Sequence, residues 1–156
     1  MADVIAKPRS TERHETARSR RRRDDVWVAA TALIAAMLAL PFAQSSWHGP
    51  EVAAVLAVAA TALFAGQRWA VAVIVIAELM LMPTVWPRAF LGDGMLMARL
   101  AALATLFAIV PGVLSMKRAA AALVVLSNQR RTQVIVRRVH IGLLVSGLVV
   151  TLLPLL

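Results

Sequence analysis

WAVAVIVIAELMLMPTVWPRAFLGDGMLMARLAALATLFAIVPGVLSM, residues 69 to 116, decides the fold of this chain. It reads as two apolar segments joined by a turn at Pro87 to Gly94. Each is long enough to cross a bilayer at about 1.5 Å of rise per helical residue. One charged group interrupts each segment, Glu78 in the first and Arg99 in the second. The rest of the chain reads as built to insert and orient this hairpin.

Outward from the hairpin the apolar excess continues. Hydrophobic residues occupy 60% of the 156 positions, against about half in an ordinary soluble domain, so a bilayer is the expected environment. The remaining polar parts are an N-terminal arm, short loops and one basic stretch, too little for a soluble catalytic domain. Cysteine is absent, which excludes disulfides, thiolate metal sites and thiol nucleophiles. A net charge of +9 would suggest nucleic acid in a soluble protein. A membrane protein gathers Arg on its cytoplasmic side for orientation alone, and no nucleic-acid partner is expected. Only Lys7 and Lys117 are Lys among the 17 basic residues, which with abundant Ala points to a bacterial genome of high GC content.

Upstream, Met1 to Asp25 is polar and holds the run Arg20-Arg21-Arg22-Arg23. It is expected to be a basic cytoplasmic arm, disordered or partly helical. Its charges serve as a topology signal first and as contacts to lipid headgroups or a partner second. Asp24 and Asp25 are suited to cap a first span, Val26 to Ala43. That span reads as an uncleaved signal anchor, because its apolar run is long and Pro41 stands at the third position before any cleavage at Ala43. After a turn through Trp47, His48, Gly49 and Pro50, a short second span covers Glu51 to Ala65. Gly66-Gln67-Arg68 then makes a tight connection to the third span, Trp69 to Trp86, whose last turn Pro83 should distort. Asp93 caps the fourth, Met95 to Met116, with a bend at Pro111-Gly112.

Downstream, Lys117 to Val139 is expected as an interfacial helix or pair of helices. Arg130, Arg131, Val134 and Arg138 fall on one helical face there, with Arg137 beside them. His140 to Leu156 is a last apolar stretch, just long enough to cross. The expected fold is therefore all-α, a polytopic integral membrane helical bundle. It has about five transmembrane helices, four of them in residues 26–116, and a basic interfacial segment before the last.

Orientation follows from charge. With the N-terminus cytoplasmic, 15 of the 17 basic residues lie inside, Arg88 alone lies outside and Arg99 lies in the membrane, as the positive-inside rule requires. Tryptophan gives a reading that uses no charge, because its ring prefers the interface. Trp27 and Trp69 fall at inner ends, Trp47 and Trp86 at outer ends.

Chemistry-bearing residues are few. Glu78 lies about 12 Å along the helix from the outer end at Trp86, and a lone carboxylate at such depth must face protein or water, take a partner, or be protonated. Arg99, about 6 Å inside the adjacent span, is the expected partner in an intramembrane ion pair. His48, Glu51 and Asp93 match no ligand spacing, no nucleotide, haem or zinc-protease motif is present, and neither metal nor cofactor is expected. Small residues recur four apart, Gly142 and Ser146 among them, which permits close helix packing.

The expected function is a non-enzymatic structural or accessory subunit of a larger complex in the bacterial inner membrane. Its partners would be membrane lipids and other membrane subunits or further copies of itself. Two alternatives stand beside it. One is a small transporter or ion-translocating component using Glu78. The other is a membrane-surface regulator that binds anionic lipid or an acidic partner through its basic segments.

Overall fold

The computed structural model describes residues 9–43, 49–91, 96–128, 132–152 and 154. Among them six helices follow one another without a strand: α1 (Arg9–Ala43), α2 (Gly49–Phe64), α3 (Ala70–Phe90), α4 (Leu96–Leu114), α5 (Met116–Leu126) and α6 (Gln133–Leu152). The all-helical bundle expected from the sequence is the fold. α3, α4 and α6 are long and apolar enough to cross a membrane, α2 is a shorter apolar helix, and the apolar run from Val26 forms the second half of α1.

α3 is the centre. Of its most apolar stretch 56% is buried within the chain, against 28% for α4 and 6% for α6. It packs against every other helix. Period-3.6 spacing of small residues lets the neighbours close in. Ala29, Ala32, Ala36 and Ala39 make one buried stripe on α1, which meets Val52, Leu56, Ala59 and Leu63 of α2 in a common core with Val71 and Ile74 of α3. A second cluster joins Ala72, Val75 and Leu79 of α3 to Met116 and Ala119 of α5.

The boundaries correct the sequence reading in three places. α1 begins at Arg9 and runs through Arg20 to Asp25 into the apolar half without a break, so the arm is helical over its described part and Asp24 and Asp25 lie inside the helix instead of capping it. Arg, Glu and Ala are good helix formers, and the apolar half supplies the nucleus onto which they add.

Next, α3 does not end at Trp86. It passes through Pro83 and Pro87 to Phe90, and the Leu91 amide donates to the Pro87 carbonyl at 2.6 Å. Each proline removes one helical donor, while the Thr84 hydroxyl donates to the Leu81 carbonyl at 2.8 Å.

Finally, Lys117 to Val139, expected as an interfacial helix or a pair of helices, is divided between α5 and the start of α6. α4 ends at Leu114, where the Ser115 hydroxyl donates to the Pro111 carbonyl at 2.9 Å. α5 then turns Met116, Ala119, Ala120 and Val124 inward, because its apolar face finds a matching face on α3. Asn128 takes a left-handed conformation, φ 54°, after α5. No Gly or Pro interrupts Gln133 to Ile141, so that basic stretch belongs to α6 and is continuous with the last apolar run.

Candidate functional site

Glu78 is fully enclosed, at 0% exposure, and its helical neighbours Ile74, Val75 and Leu81 are buried with it. Neither carboxyl oxygen has a hydrogen-bond partner among the described residues. The carboxyl lies directly against Gly112 of α4, in the space that a side chain there would fill. Thr105, one of the few buried polar side chains of the core, donates to the Ala101 carbonyl of its own helix at 2.8 Å and is satisfied there. The cost of taking the Glu78 carboxyl out of water is therefore not offset by a hydrogen bond in this part of the chain.

Glu78 makes no hydrogen bond to Arg99, the partner expected for it in an intramembrane ion pair. Arg99 is exposed in the first turn of α4, and the 13 residues from Arg99 to Gly112 correspond to about 20 Å along the helix. The extra turn of α3 is the physical reason: it sinks Glu78 about 18 Å below the end of its helix at Phe90, instead of 12 Å.

A second feature lies at the end of the bundle where the chain enters α3. A cavity of about 640 Å³ opens there between α1, the turn from α2 to α3, α5 and α6. Four cationic side chains line it, Arg21, Arg68, Lys117 and Arg118, with Asp25 as the one carboxylate. Arg118 forms an ion pair with Asp25, fastening α5 to α1. Burial and the charge of Arg21 together push the Arg118 pKa below its usual value, while Asp24 opposes them. The rest of the lining is largely apolar: Leu63 and Val71, which are buried, with Val125, Leu126 and Val136. Gly66 makes the turn with φ 86°, a left-handed conformation that favours glycine. Val71, which lines the cavity, and Glu78 are seven residues apart, so they share one face of α3 about two turns apart.

The other sequence-predicted residues fall as follows. Arg20, Arg22 and Arg23 are exposed along α1, and Arg137 and Arg138 are exposed near the start of α6. Arg130, Arg131 and Trp47 lie outside the described residues. Trp27 and Trp69 stand exposed at the cavity end of the bundle, at 64% and 40%. Trp86, at the opposite end, donates its indole N–H to the Thr151 carbonyl at 2.7 Å and so ties α3 to the last turn of α6. Sequence reasoning counted Arg68 for topology only and placed Lys117 and Arg118 in a basic interfacial stretch, and it missed the cavity that the three make with Arg21. It also missed Gly112 as the seat of the Glu78 carboxyl.

α6 leaves most of its surface outward. Gly147 alone among its described residues is buried, in contact with Leu79 and Met116. On the other side Gly142, Val145, Ser146 and Val149 are exposed, and nothing stands within 4 Å of the position a side chain at Gly142 would take.

No family model, curated protein or solved structure matches this chain.

Proposed function

We propose that this chain is a multi-pass protein of the bacterial inner membrane, with five crossings and a cytoplasmic N-terminus, that serves as a non-enzymatic accessory subunit of a larger membrane assembly. The observation that carries the reading is the exposure of α6. A spanning helix with 6% of its apolar stretch buried is held by a narrow stripe, and its outward face presents Gly142 and Ser146, a spacing that lets a second helix approach to backbone distance. The orientation is supported by the gathering of Arg21, Arg68, Lys117 and Arg118 at one end of the bundle, since basic residues collect on the cytoplasmic side.

The test is affinity purification of the full chain, expressed at native level, in mild detergent, with mass spectrometry of what accompanies it. A stoichiometric set of membrane proteins that is lost on Gly142→Leu is the expected result. A lone monomer, or a partner set indifferent to Gly142→Leu, overturns the reading.

A second reading, movement of protons or ions, is favoured by one observation, the enclosed Glu78 carboxyl without a hydrogen-bond partner among the described residues. An ionisable group at membrane depth is a functional candidate by default. Proteoliposomes carrying a pH-sensitive dye decide it: flux abolished by Glu78→Gln supports the reading, and absence of flux in the unmodified protein ends it.

A further inference from the structure

We propose that the basic cavity between α1, α5, α6 and the turn before α3 is a binding site for the phosphate headgroup of an anionic phospholipid.

Four cations against one carboxylate in a cavity of about 640 Å³ leave a strong positive excess, and the volume falls in the range of small-molecule sites, about 300 to 1,000 Å³. Asp25 is occupied by Arg118, so the charges of Arg21, Arg68 and Lys117 remain for an outside anion to balance. They come from three separate elements: Arg21 from α1, Arg68 from the turn and Lys117 from α5. An anion seated among them is held from several sides, and a phosphate suits such a set because guanidinium groups bind two of its oxygens at once. Arg118 adds a further donor group partly withdrawn from water, where charge-assisted bonds are stronger than at an open surface.

The walls select a lipid over a free anion. Leu63, Val71, Val125, Leu126 and Val136 carry no polar group that a soluble phosphate could use, yet they would cover the glycerol backbone and first acyl carbons below a headgroup. Trp69, also lining the cavity, is 40% exposed, the disposition of an indole at a membrane–water boundary. With the chain in a membrane, the exposed Arg21, Arg68 and Lys117 would meet the headgroup, and the buried Leu63 and Val71 the first carbons beneath it. This inference rests on the membrane placement of the chain and is independent of any accessory role.

Native mass spectrometry of the full chain in detergent tests it, with phosphatidylglycerol and phosphatidylcholine of identical acyl chains added in turn. The expected result is preferential retention of phosphatidylglycerol. Arg68→Gln with Lys117→Gln should weaken retention about tenfold or more, the scale expected when two cations near an anionic headgroup are lost. Both residues are exposed, so the fold should survive; the melting temperature of the variant confirms this, and Arg68→Gln alone serves if the pair does not fold. Arg137→Gln with Arg138→Gln, which removes the same charge outside the cavity, should change retention less than twofold. Equal retention of the two lipids overturns the proposal. So does an equal loss in the control variant, which would indicate a diffuse basic surface. Displacement of phosphatidylglycerol by millimolar inorganic phosphate would identify a soluble anion as the ligand and overturn the lipid assignment. None of these outcomes depends on co-purifying proteins, so the site and the accessory role fail separately.

Discussion

The carboxyl of Glu78 occupies the space that a side chain at Gly112 would need. One helix brings its only carboxyl group to the place where its neighbour has no side chain, and the two positions are therefore coupled sterically.

Gly112→Ala should lower the melting temperature in detergent, at a cost of about 1–3 kcal/mol for an overpacked core position. In a Glu78→Ala background the same substitution should cost little, because the obstructing carboxyl is gone. Equal losses in both backgrounds would sink the steric account.

Glu78→Gln and Arg99→Gln should be additive in thermal stability to within about 0.5 kcal/mol, as sites well over 10 Å apart are. A double variant clearly less damaged than the sum of the singles would mean that the pair forms after all.

Asp25→Asn removes the carboxylate that Arg118 meets and leaves that guanidinium facing the charge of Arg21. With both side chains about a quarter to a third exposed, the loss should be modest, about 1–2 kcal/mol, between the values for surface and buried pairs. Raised salt should shrink the difference between Asp25→Asn and the unmodified protein. A salt-independent difference contradicts an electrostatic origin.

Trp86→Phe keeps the apolar ring and removes the donor to the Thr151 carbonyl, one of the carbonyls that a helix leaves unpaired at its end. The expected cost is about 0.5–1.5 kcal/mol, and hydrogen exchange should rise in the last turn of α6 before it rises elsewhere. Uniform change along all six helices would argue against a local tie.

The apolar periodicity, the turn residues and the charge counts made most of the bundle legible, including the central place of α3, although the other arm of the hairpin, α4, lies nearer the outside. What they did not reveal has identifiable causes. Pro87 looked like a stop because proline breaks an isolated helix, yet α3 carries both prolines to Phe90. That single turn changed the depth of Glu78 and with it the choice of partner. The helical start of α1 was hidden because a run of charges reads as solvated chain whether or not it is helical. Arg68 was visible only as an inside charge, and Lys117 and Arg118 only as the start of a basic stretch, since nothing local in sequence tells that α5 folds back beside the turn before α3. The contact of Glu78 with Gly112 depends on the rotation of two helices about their axes, which packing decides and hydropathy does not.

The unbroken passage of α1 from Arg20 through Asp25 into its alanine stripe has a mechanical consequence. The basic stretch and the first apolar run are one stiff rod, and the contact of Asp25 with Arg118 sits on it like a pivot. A load applied at Arg20 to Arg23 is thus delivered as leverage on the seam where Ala29, Ala32 and Ala36 meet the rest of the core. Two glycines in place of Arg22 and Arg23 would cut the rod, and a label past them would then stop reporting what happens at its outer tip.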